Sequence, residues 1–131
     1  MQGMKPDDQW KFALGSFIHE FSRLEAYVFI LCARSIGTDD TRKLTFGKRI
    51  DRIKAGFKQH SPLASETMLA LLRQARALAQ FRNELLHNTA FHGTGGTPPA
   101  LEELQGRLQQ LDQLLEHLAQ QDTALGLHAL P

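Results

Sequence analysis

Arg82, Asn83 and His87 are the residues of this chain whose types and spacing could do chemistry together. A guanidinium holds charge on a phosphate through its forked donors. An imidazole, with a free pKa of about 6.5, moves protons at neutral pH, and a carboxamide can orient either group. The three lie in Phe81–His92, FRNELLHNTAFH, late in a long helical pattern. Apolar residues leading into it recur at Met68, Leu71, Ala75 and Leu78 and resume at Leu85, in the threes and fours of one helix face. Arg82 interrupts that row. A second row, Arg73, Arg76, Gln80, Asn83 and His87, sets Asn83 and His87 one above the other beside it. An unpaired guanidinium on an apolar face costs several kcal/mol, so Arg82 requires a carboxylate, a subunit boundary or a phosphate. With nine Arg and six His, an Arg followed by a His after four to six residues is expected about once by chance. The weight therefore rests on Asn83, the interrupted row and the place late in the helix.

Four helices are predicted to position these residues, near 8–36, 42–59, 62–89 and 99–120, with no strand pattern anywhere. The first is capped by Asp7 or Asp8 and carries Trp10, Leu14, Phe17, Phe21, Leu24, Val28 and Leu31 in a seven-residue repeat, widened by Ile18, Phe29 and Ile30. Gly37 is its natural stop. Glu25 sits at the edge of that stripe, next to Phe21 and Phe29, and is the carboxylate that Arg82 is expected to meet. Thr38–Thr41 reads as a turn and cap. The second helix has a narrow row, Phe46, Ile50, Ile53 and Phe57, with basic residues on its other faces. Ser61 and Pro62 open the third helix, and a glycine-rich loop from Phe91 to Pro99 follows it. The last helix, opened by Thr97 and Pro98, places Leu101, Leu104, Leu108, Leu111, Leu115 and Leu118 on one wall of a bundle. The tail from Gln120 is expected to be poorly ordered.

At 131 residues the chain reads as one domain, 1–131, with an ordered core about 8–120. The single cysteine, Cys32, excludes an internal disulfide and reads as a small buried hydrophobe. No apolar run reaches membrane-spanning length and the N-terminus is unlike a signal peptide, so a cytoplasmic protein with no membrane partner is expected. The net charge of +1 conceals an asymmetry. Arg42, Lys43, Lys48, Arg49, Arg52, Lys54 and Lys58 cluster around one acid, Asp51, whereas from Pro98 onward acids dominate. A basic helix is usually a solvated face, but this density points to a phosphate-bearing partner. A metal site is not expected, since His87 and His92 lack helical ligand spacing and no second cluster exists. The glycines at 93–96 follow a helix and precede prolines, unlike a phosphate-cradling loop.

From about residue 8 to 120 the chain resembles a HEPN domain. The resemblance rests on Arg82-Asn83-Glu84-Leu85-Leu86-His87, an Arg-x4-His motif late in a long helix with Asn directly after the Arg. It is reinforced by Leu24-Glu25 in a long apolar first helix, then a basic helix, the motif helix, a variable loop and a closing helix. It implies an all-α, up-and-down four-helix bundle with long first and third helices. It implies further a metal-independent endoribonuclease, free of cofactors, that acts as a homodimer with a composite site. Arg82, Asn83 and His87 would be catalytic, Glu25 supporting, and Lys48, Arg49, Arg52, Lys54 and Arg76 would bind RNA. Other members of such a family are non-catalytic interaction or dimerisation modules, which is the alternative for this chain. In a toxin–antitoxin branch a tyrosine stands two residues after the histidine; here that residue is Thr89, so control through a modified tyrosine has no support. A toxin or defence setting, with an antitoxin or other regulatory protein as partner, is left open by the resemblance.

Overall fold

Pro6 starts the first helix, α1 (Pro6–Ile36), from an extended Lys5. Proline suits this position because its missing N–H would be unpaired there anyway. Asp7 and Asp8, expected as caps, instead lie inside the first turn, where their charge favours the helix N-terminus. The computed structural model describes residues 3–60, 62–90 and 99–125. The Ser61 cap, the loop at 91–98 with His92, and the tail beyond Leu125 lie outside the described residues, as does the side chain of Lys58.

The described residues are almost wholly helical and contain no strand. Gly37 ends α1 with φ +91°, and its N–H donates to the Ala33 carbonyl at 2.8 Å. Only glycine adopts that conformation without strain. The next residues form a five-residue helix, α2 (Thr38–Arg42), rather than the expected turn. Thr41 is fully buried and its hydroxyl donates to the Gly37 carbonyl at 2.7 Å, which holds α2 against the end of α1. The basic helix, α3 (Phe46–His60), therefore begins four residues later than expected. Thr45 precedes it and accepts the Lys48 N–H at 3.3 Å, as an N-cap does. The motif helix is α4 (Pro62–Ala90) and the last is α5 (Leu101–Leu125). The last helix passes the expected end near 120 because the residues up to Leu125 include good helix formers and no Gly or Pro.

The four long helices pack in a ring, α1 on α3, α3 on α4, α4 on α5 and α5 on α1. Phe17, Phe21, Leu24, Ile50, Met68, Leu72, Leu85, Leu104 and Leu111 fill one shared core. Ile30, expected to widen the α1 stripe, instead points outward at 48% exposure. Helix directions also depart from strict alternation of four. Trp10 Nε1 donates to the Pro99 carbonyl at 2.9 Å, and Tyr27 OH to the Leu118 carbonyl at 3.2 Å. Both ends can match only if α1 and α5 run the same way, whereas four alternating helices would oppose them. The short α2 supplies the extra reversal. Phe46 rests on Phe21 (5.6 Å between centroids), while Arg49, one turn on, reaches the Phe29 ring at 5.0 Å. Thus α3 starts beside the middle of α1 and runs toward its C-terminal end. Below Phe21 the seam between α1 and α4 has no α3 alongside. Among the described residues, no helix is long and apolar enough to cross a membrane.

Candidate functional site

Arg82 lies nearly two turns beyond Arg76, which reaches the start of α3, on the α4 face turned toward α1. Its Nη1 donates to Glu25 Oε1 at 3.3 Å, and its guanidinium lies 4.6 Å from the Phe21 ring centroid. Its Nε donates to Asn83 Oδ1 at 2.9 Å. The apolar row is therefore interrupted by a cation held by an acid, an aromatic face and the adjacent amide. The link to Glu25 is longer than the 2.7–2.9 Å usual for a charge-assisted bond, so this pair is loose. The Arg82 side chain is 20% exposed and that of Glu25 42%. Water reaches the carboxylate more than the guanidinium.

Spacing alone pointed to Glu25; it did not assign Phe21 a part. Phe21 and Glu25 are one turn apart on α1, so a single helix face presents both a π surface and a carboxylate to Arg82. Two nitrogens of Arg82 are engaged. Among the described residues, Nη2 has no hydrogen-bond partner. Asn83 and His87 are exposed, and they follow one another by one turn along the outside of α4. Leu86, beside His87, is 42% exposed, on the part of α4 that α3 does not reach.

The residues expected to bind RNA divide into two groups. Arg49 is tied into the fold: its Nε donates to the Thr41 carbonyl at 3.1 Å and its guanidinium covers Phe29. Arg76 pairs with Asp51 and donates to the Gly47 carbonyl at 2.9 Å, joining α3 to α4. Lys48 and Arg52 are exposed and Lys54 is half-buried. Arg42 and Lys43, also in the basic cluster, pair with Asp39 and Asp40 within α2 and its flank. Among the described residues no group of three or more His, Cys, Asp or Glu side chains converges as a metal site would require. A shallow groove of about 270 Å³ between α4 and α5, lined by Gln74, Ala77, Leu78, Arg107 and Gln110, turns away from the His87 face. Comparison of this chain with family models, with curated proteins and with solved structures gives no match in any of the three.

Proposed function

We propose that this chain is a metal-independent endoribonuclease of the HEPN type, working as a homodimer with a composite site of Arg82, Asn83 and His87. The observation that supports this reading is the state of Arg82. Its guanidinium is oriented by Phe21, Glu25 and Asn83, Nη2 has no hydrogen-bond partner among the described residues, and Asn83 and His87 are exposed on the same helix. A donor oriented in advance stabilises a developing oxyanion without reorganising during the reaction. In the proposed reaction the RNA 2′-hydroxyl attacks the adjacent phosphorus and gives its proton to His87. The bond from phosphorus to the 5′-oxygen breaks, and that oxygen takes a proton from the partner's His87. The products are a 2′,3′-cyclic phosphate and a 5′-hydroxyl, and no water or metal enters the balance. One histidine per chain cannot begin as both base and acid, which is why the reading includes a second copy. Leu86, apolar and exposed beside His87, supports a contact there.

A second reading, a non-catalytic interaction module, is favoured by one observation. Glu25, Asn83 and the Phe21 ring together hold the Arg82 guanidinium, as they would hold a purely structural arginine. Purified protein incubated with varied RNAs in chelator separates the two readings. The nuclease leaves cyclic phosphate ends, and Arg82→Ala and His87→Ala variants that fold and dimerise lose the activity. Cleavage that persists in those variants belongs to a contaminant. Absence of cleavage across RNAs, or a monomer mass by light scattering at tens of micromolar, leaves the module.

A further inference from the structure

We infer that the RNA strand is gripped by Lys48, Arg52, Lys54 and Arg73, a face about 20 Å along α4 from His87, and that Arg49 and Arg76 take no direct part. This rests on the RNA reading above but changes which residues contact the phosphates. Arg73 enters because of the Asp51–Arg76 pair, which satisfies its own charge and pins the outer side of α3 to α4. Lys48 and Lys54 stand three residues before and after Asp51, and Arg73 three residues before Arg76. Residues three apart are neighbours on a helix surface, so these cations surround a neutral bridge. Arg52, one turn after Lys48, extends the patch outward. Lys48, Arg52 and Arg73 are exposed, and among the described residues none of the four cations has an ion-pair partner. Unpaired, solvated cations are those that release counterions when they meet phosphates.

From Arg73 to His87 is fourteen residues of one helix, about 21 Å at helical rise. A stacked strand crosses that distance in about six nucleotides at 3.4 Å each. The α4 surface between them carries Arg76, paired with Asp51, and then Gln80 and Asn83, polar and uncharged. Glu84 lies to one side, within 3.4 Å of Gln80 Nε2. Grip and chemistry are therefore separated along α4, and the face serves an RNA long enough to span both.

Fluorescence anisotropy with a labelled 2′-O-methyl RNA dodecamer, which lacks the nucleophile, measures this face independently of cleavage. For the full chain, log affinity is expected to fall against log salt with a slope of about −2 to −3, for three or four phosphates at about −0.7 each. Arg73→Gln, checked for folding by circular dichroism, should bind about threefold to tenfold more weakly at low salt, with a slope flatter by about 0.7. Lys11→Gln, on α1 and paired with Asp7, should match the unmodified chain. An Arg73→Gln slope equal to that of the unmodified chain overturns the inference, as does an equal loss in Lys11→Gln. If Arg73→Gln shows the flatter slope while the unmodified chain cleaves no RNA, the nuclease reading fails and the gripping face stands. If RNA is cleaved while Arg73→Gln binds normally, the face fails and the nuclease stands.

Discussion

Six residues apart on α4, Arg76 and Arg82 each reach a carboxylate on a neighbouring helix, yet they occupy different environments. Arg76 and Asp51 are 45% and 64% exposed, and the arginine's other recorded bond is to the Gly47 carbonyl. Arg82 is 20% exposed, lies over the Phe21 ring and keeps its carboxylate at 3.3 Å. The cause is where α3 lies. Arg76 projects onto the outer side of α3, where water screens the pair. Arg82, nearly two turns further along α4, rests its guanidinium against the aromatic floor between α1 and α4. Exposed pairs contribute about 0–1 kcal/mol, whereas a cation on an aromatic face with reduced hydration adds about 0.5–2 kcal/mol. The same residue type is thus a surface tie at one position and an oriented donor at the other.

The sharpest test of that contrast is catalytic. On the proposed reading, His87→Ala and Arg82→Ala each lower RNA cleavage by at least about 100-fold, measured as cyclic-phosphate ends per minute. Arg76→Ala should keep the cleavage rate within about threefold at saturating RNA. Equal losses at both arginines would erase the distinction. Smaller is the expected effect of Glu25→Gln. It keeps shape and hydrogen bonding but removes the charge that draws Nη1, so activity should fall by about tenfold with dimer mass unchanged.

Stability changes should follow the same order at smaller magnitude. Arg82→Ala is expected to cost about 1–2 kcal/mol, a Tm lower by about 5 °C, through loss of the aromatic contact and the ion pair. Arg76→Ala should cost less than about 0.5 kcal/mol in the same thermal melts. A reversed order would mean that Phe21 does not hold Arg82 in solution.

The smallest effect expected belongs to the seam between α1 and α5, away from both arginines. Burial, then the charge of Glu20 and a hydrogen bond with it, raise the Asp112 carboxyl above its ordinary value, while Arg23 opposes them. Asp112 is exposed as a residue, so solvent screens these influences and their effect on stability is small. A raised folded-state pKa gives stability that is complete below the unfolded value and lost as pH rises through the folded one. Asp112→Asn should therefore stabilise the chain slightly at pH 7, and the gain should vanish below the ordinary carboxylate range. Denaturant melts from pH 3 to 8 measure this directly; a gain at pH 3 equal to that at pH 7 has the wrong sign for it.

Helical type was legible before any coordinates because it depends on local periodicity: the rows through Phe17, Phe21 and Leu24, and through Leu104, Leu111 and Leu118, are buried where their spacing places them. Gly37 announced the end of α1 because its backbone conformation suits glycine, and Arg82 demanded a partner because an unpaired cation on a core-facing row is costly. Direction was not legible. A seven-residue apolar stripe reads equally well up or down, so only the contacts Trp10–Pro99 and Tyr27–Leu118 set α1 parallel to α5. The short α2 escaped because Thr38–Arg42 has too few residues for a period, and its placement depends on the buried Thr41 hydroxyl. Nor could spacing separate bound cations from available ones. Arg49 and Lys48 are adjacent in the chain, but helical geometry turns one onto Phe29 and the other into water. Composition specifies which charges a helix carries; their partners depend on the helix packed opposite, because ion pairs and aromatic contacts act over a few ångströms between residues distant in sequence.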